Sequence, residues 1–184
     1  QTGQKENTIQ FNYVMGDELV NVKYRDGRKN FKLYKGAEKI FYNINSIVGY
    51  DWCVITEGEM DALALHEAGI KNVISVPNGA TLNSNNLDYL DNCIDYFEDK
   101  EKIILAVDAD EAGQALRYEF IRRLGAEVCY LVDFNGNKDP NDFLIEHGAE
   151  ELRKVITTAT QVPLEGVSTL RDLEADLLDF VHNG

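Results

Sequence analysis

The chain has 184 residues, 44% hydrophobic and 27% charged, with a net charge of −14. That length supports one well-buried core with a small accessory lobe, no apolar run approaches the roughly 18 residues a membrane span needs, and the net charge argues against a protein that simply coats nucleic acid. Cys53, Cys93 and Cys129 fit neither a disulfide framework nor a zinc spacing and read as reduced core thiols of a cytoplasmic protein.

The chain opens "QTGQKENTIQ", without an initiator Met or signal peptide, and reads as a fragment of something longer. Residues 9 to 42 are expected to form short strands. "IQFNYVM", "ELVNVKYR" and "NFKLYK" are rich in β-branched and aromatic residues, and Gly16-Asp17 and Asp26-Gly27 between them are hairpin signals. From Val54 the pattern changes to alternating strand and helix. "VIT" reads as a strand, followed by the helix "EMDALALHEAG" with Met60, Leu63, Ala64 and Ala68 along its inner face. "NVISVP" is a strand, residues 87 to 97 a helix, and "KIILAVD" a strand covered on both faces. "EAGQALRYEFIRRLG" predicts a helix with Ala112, Ala115, Leu116, Phe120 and Leu124 inward, "EVCYLVDF" a strand, and "DPNDFLIEHG" a short helix with Pro140 in its first turn. A linker and a terminal helix bearing Leu170, Leu173, Leu177 and Phe180 on one side complete the chain.

This alternation implies an α/β fold, a parallel sheet with helices on both faces preceded by a small antiparallel β-rich lobe. Residues 1–50 are assigned to the lobe, 51–160 to the sheet domain, and 161–184 to the linker and helix. Charge divides along the same line. Residues 20 to 40 carry seven Lys or Arg against Asp26 and Glu38, a local balance of +5 that leaves −19 elsewhere. A basic lobe joined to an acidic body suits a polyanion held next to a metal site.

Ligands of an open parallel sheet bind beyond the carboxyl ends of its strands. Glu57 follows the first strand of the sheet, Asp108 and Asp110 end "IILAV", and Asp139 and Asp142 follow "CYLVDF". Asp110 alone would read as a helix N-cap. Residues two apart in an extended chain point to one side, so Asp108 and Asp110 repel unless a cation sits between them. Hard oxygen donors without nearby Cys or His favour Mg2+ or Mn2+ over zinc.

The residues "TEGEMDALALHEAGIKNVISVPNGA", "ILAVDADEAGQAL" and "KDPNDFL" resemble the TOPRIM domain shared by primases, topoisomerases and some nucleases. "EGEMDALAL", "VPNGA", "DADEAGQAL" and "KDPND" are similar to motifs of DnaG-type primases. "LVNVKYRDGRKNFKLYKGAEKIFYNI" looks like the lobe that precedes TOPRIM in bacteriophage primase-helicases and Twinkle-like helicases. The resemblance covers roughly residues 9 to 155. It implies a DNA primase core that makes short RNA primers from nucleoside triphosphates on a single-stranded DNA template, with a helicase domain in cis or in trans, in a bacterial, phage or mobile-element setting.

Carried over residue by residue, the resemblance makes Asp108, Asp110 and Asp139 holders of two Mg2+ or Mn2+ ions, with no zinc module in this stretch. Glu57 either completes the coordination or takes the hydroxyl proton. Asp61 is expected in an outer-sphere contact, and Asp142 is displaced by one position from the family's usual DPD. Gly58 and Gly79 let backbone approach closely. Lys23, Arg25, Lys29 and Lys32 are candidates for template phosphates or triphosphate, and Glu59 is expected to face solvent. A haloacid dehalogenase-type phosphatase would give no reason for Glu57-Gly58, and a topoisomerase needs a tyrosine-bearing domain. The remaining rivals are a TOPRIM nuclease and a non-priming nucleic-acid-binding module of a replicative helicase.

Overall fold

The computed structural model describes residues 7–78 and 87–163. Gly79 and the expected terminal helix lie outside the described residues.

The N-terminal segment forms an antiparallel sheet in the order β1-β2-β3, from β1 (Thr8–Met15), β2 (Glu18–Asp26) and β3 (Phe31–Leu33). A two-residue turn at Gly16-Asp17 joins the first pair, with Gly16 in the left-handed region at φ +59°. The second turn is organised by Asp26, whose carboxylate accepts the backbone N–H of Arg28 at 2.8 Å and of Asn30 at 2.9 Å. The positive φ in that turn falls on Lys29, at +62°, and not on Gly27. Such an Asx clamp lets a non-glycine residue hold the left-handed position.

The second sheet contains β4 (Trp52–Thr56), β5 (Val73–Ser75), β6 (Lys102–Ala106), β7 (Cys129–Leu131) and β8 (Thr160–Gln161), in the order β5-β4-β6-β7-β8. The first four are parallel, and β8 adds an antiparallel edge that the sequence pattern did not reveal. The helices are α1 (Glu59–Glu67), α2 (Asp88–Asp91), α3 (Glu111–Leu124) and α4 (Pro140–Thr157). The expected helix over 87–97 is instead the single turn of α2 followed by a 3-10 turn, Ile94–Phe97.

Strand alternation splits the core in two. Cys53, Ile55, Ile103 and Leu105 point to one face, where they meet Leu116 and Phe120 of α3, Phe41 before the sheet, and Phe11 and Tyr13 of β1. Val54, Ile104 and Ala106 point to the other, against Ala62 and Leu65 of α1 and Phe143, Leu152 and Ile156 of α4. Both faces are covered, which is why the strands read as continuous apolar runs. The N-terminal sheet shares the first cluster, so the basic strands are fixed against the α/β body by hydrophobic burial.

Two helical faces differ from expectation. In α1 the buried positions are Glu59, Asp61, Ala62, Ala64 and Leu65, while Leu63 is exposed. In α3, Gly113 is buried and Ala115 is exposed. Helix α4 runs past its expected end, with a break at Gly148 (φ 84°, ψ 171°). A glycine at that φ interrupts the helix without strain, and the apolar positions resume beyond it.

Candidate functional site

Three strand-to-helix junctions meet at the carboxyl edge of the parallel sheet. The first leaves β4 through Glu57-Gly58. Buried Thr56 steadies it, its hydroxyl donating to the carbonyl of Gly58 at 3.1 Å or of Ile74 at 3.2 Å. Gly58 is extended (φ −130°), so its need is steric: a Cβ there would stand 2.8 Å from Asp61 Oδ2. The second junction leaves β6 through Val107-Asp108-Ala109-Asp110. Asp110 caps α3, accepting the Gly113 N–H at 3.0 Å. The third ends at Asp139, which caps α4 by accepting the Asp142 N–H at 2.8 Å, with Pro140 in the first turn.

The junctions are tied together by backbone. The Ala109 N–H donates to the Lys138 carbonyl at 3.0 Å, fixing the Asp108–Asp110 loop against the Asp139 loop. A Cβ on Gly113 would lie 2.2 Å from the Asp108 carbonyl oxygen, so only glycine lets the first turn of α3 approach that carbonyl.

Electrostatics single out Asp61. It is 8% exposed, and its pKa is pushed up to about 8, first by burial and then by the carboxylates of Asp139, Asp108 and Glu57. A hydrogen bond from the Asn141 backbone acts against that shift. Asp108, also 8% exposed, is raised by burial, with Lys138 opposing and Asp139 and Asp110 adding to it. The Lys138 ammonium stands 2.8 Å from Asp108 Oδ2 and 3.7 Å from Asp110 Oδ2. Asp142 is exposed in the first turn of α4.

As they stand, no three His, Cys, Asp or Glu side chains among the described residues converge as a ready-made metal cage. The donor set nevertheless fits a hard divalent cation. It consists of carboxylates held at one edge, two of them buried with raised pKa values, and a positive group already lies between Asp108 and Asp110.

The basic candidates separate. Lys23 is 7% exposed, and its ammonium is committed to Glu59 Oε1 at 2.7 Å and to the Pro77 carbonyl at 2.8 Å. This corrects its expected place on an open phosphate-binding surface. Glu59, expected to face solvent, is 3% exposed and also accepts the Tyr13 hydroxyl. The network joins β1, β2, the first turn of α1 and the loop after β5, close in sequence to Glu57. Arg25 is half-buried, its guanidinium 5.9 Å from the Phe31 ring centroid. Lys29 and Lys32 are exposed, and Lys32 pairs with Tyr24 across the sheet, so it lies on the face opposite Lys23 and Arg25.

Sequence reasoning missed Lys138, Glu59, Thr56 and Gly113 as parts of this edge. Gly113 and Lys138 lie inside the motifs "DADEAG" and "KDPND" and could have been found there. The pairing of Glu59 with Lys23, 36 positions away, left no local signal.

Residues 54–144 match the family model described as Toprim-like. A curated relative named "Primase homolog protein" of Arabidopsis thaliana is 37% identical over 177 residues, covering 87% of this chain and 52% of the relative. The "Twinkle homolog protein, chloroplastic/mitochondrial" of the same plant is 34% identical over 184 residues, covering 91% of this chain and 26% of the relative. The chain thus spans about half the length of the first relative and about a quarter of the second. Among solved structures, the primase fragment of the bacteriophage T7 primase-helicase protein superposes with a TM-score of 0.70 at 26% identity, covering 80% of this chain and 61% of that one. These likenesses converge, and the chain carries a TOPRIM-type domain like that of primases and primase-helicases.

Proposed function

We propose that this chain is the catalytic core of a DNA primase, extending RNA primers on single-stranded DNA by metal-dependent nucleotidyl transfer. The observation that carries the reading is the meeting of Asp61, Asp108 and Asp139 from three junctions at one sheet edge, coupled closely enough for Asp61 to feel the other two and Glu57. Four carboxylates need no such gathering to cap helices. They do need it to hold a cation beside a polyphosphate.

In the reaction the 3′-oxygen of the primer attacks the α-phosphorus of a nucleoside triphosphate. A new phosphodiester bond forms, the α–β bridge breaks and pyrophosphate leaves. Asp108, Asp110 and Asp139 would hold Mg2+ or Mn2+, and the chemistry so supplied is neutralisation of charge on the phosphate oxygens. Glu57, at the exit of β4, is assigned the proton of the attacking hydroxyl. Glu57 is half-buried directly after β4, a position that suits a base. Asp61 lies buried beside Asp139, Asp108 and Glu57, and without a cation its carboxyl is held at about 8, well above the usual carboxylate range. Gly58 keeps the Asp61 carboxylate in place by presenting no side chain.

Exposed Lys29 and Lys32 are the candidates for the template backbone, and Arg25 remains a candidate beside them. The printed name of the bacteriophage T7 primase-helicase also supports a helicase partner in cis or in trans. The test is incorporation of a labelled ribonucleotide on a single-stranded template with Mg2+ or Mn2+. The reading predicts extension that chelation by EDTA abolishes. DNA binding without any incorporation would favour the non-priming module instead, and strand cleavage the nuclease.

A further inference from the structure

We propose that Lys138 is a tethered counter-ion of the acidic edge: it holds Asp108 and Asp110 while no divalent metal is bound, and must leave them when one binds. The inference rests on the reading of these acids as metal ligands and adds a residue that governs when the metal enters.

The geometry carries it. The ammonium lies 2.8 Å from Asp108 Oδ2 and 3.7 Å from Asp110 Oδ2, between two carboxylates that belong to the same loop. An ordinary surface ion pair joins one cation to one acid and contributes little. Here one cation relieves the repulsion of two acids, of which Asp108 is only 12% exposed in its side chain. The Lys138 side chain is 55% exposed, so the ammonium reaches in from the mouth of the site and has open solvent to retreat into.

Its backbone is fixed. The Lys138 carbonyl accepts the Ala109 N–H at 3.0 Å, and the next residue, Asp139, caps α4. A charge on a short tether from a fixed point acts at high effective concentration. The metal therefore competes with a group that is always present. Its apparent affinity is reduced by the fraction of time the ammonium occupies the carboxylates. Lys138 thereby sets the metal concentration at which the site loads.

Mn2+ alone is the probe, with free ion followed by electron paramagnetic resonance in metal-free protein and no nucleotide. Lys138→Met is expected to bind Mn2+ about five- to tenfold more tightly than the native chain. The metal-free melting temperature should fall in that variant, and saturating Mn2+ should close the gap. Lys138→Arg, which keeps the charge, should stay within about twofold of the native affinity, and Asp108→Asn should lose binding. Unchanged or weaker Mn2+ binding by Lys138→Met, with Asp108→Asn still defective, overturns the counter-ion role and leaves the metal-site reading standing. A gain in Lys138→Arg equal to that in Lys138→Met also overturns it, because the effect would then come from packing and not from charge. Absence of specific Mn2+ binding in the native chain and in every variant overturns both.

Discussion

Asp61 is the residue whose surroundings have the plainest thermodynamic consequence. Its folded-state pKa of about 8 lies above the ordinary carboxyl value, so between about pH 4 and pH 8 the folded chain binds a proton that the unfolded chain has released. Stability then falls as pH rises through that window, and Asp108, shifted the same way, adds to the trend. Urea unfolding of the metal-free protein should show this slope, and Asp61→Asn should remove most of it while still accepting the Asn141 N–H. An unchanged slope in that variant would assign the titration to another group. Gly113→Ala is a second case. Alanine favours helices over glycine, yet here its Cβ would lie 2.2 Å from the Asp108 carbonyl. A loss of about 1–3 kcal/mol by chemical denaturation is expected, the scale of an overpacked site. The acids were legible from the motifs because strand ends and Asp-x-Asp spacing are local features. The elevation of Asp61 was not, because burial and the neighbouring carboxylates are properties of the assembled edge.

Among the elements, the link between the N-terminal sheet and α1 matters most. Lys23, Glu59 and Tyr13 meet out of water, with Lys23 also 4.8 Å from the Phe31 ring centroid. Breaking a buried pair leaves a charge without its partner, at a cost of about 3–5 kcal/mol. Lys23→Met should lose that much stability, and adding Glu59→Gln should restore part of it. A double-mutant cycle reads the coupling, and strict additivity would show that the two side chains do not act together. The alternation of strand and helix, both hairpins and the covered faces could all be read from the chain, since apolar periodicity records them directly. The inner face of α1 was legible only in part: Ala64 and Ala68 are buried as expected. Its Glu59 points inward to pair with Lys23, so a hydrophobic pattern places Leu63 inside and Glu59 outside. Edge strand β8 is two residues long, too short to leave a period. The continuation of α4 beyond Gly148 was hidden because a glycine after a helical run ordinarily ends it.

Over the whole molecule, charge separates a basic N-terminal region from an acidic body. If Lys29 and Lys32 meet the template backbone, single-stranded DNA binding should weaken steeply with salt. Each phosphate no longer neutralised should flatten the log–log slope by about 0.7. The Lys29→Ala/Lys32→Ala protein should therefore bind more weakly and less salt-dependently. Fluorescence anisotropy across a salt series would detect this, and a native slope in the double variant would move the interface elsewhere. Whether the acids at the sheet edge perform nucleotidyl transfer is decided by extension of a short oligonucleotide annealed to single-stranded DNA. Labelled ribonucleotides and Mg2+ or Mn2+ are supplied to the native chain and to Glu57→Gln side by side. The native chain is predicted to extend slowly, only with metal, and to start poorly from two free nucleotides. Glu57→Gln is predicted to lose at least about a hundredfold in rate, as expected for removal of a general base, with circular dichroism and DNA binding unchanged. Extension by Glu57→Gln at the native rate would remove Glu57 from the chemistry and with it the assignment of this edge as the catalytic centre.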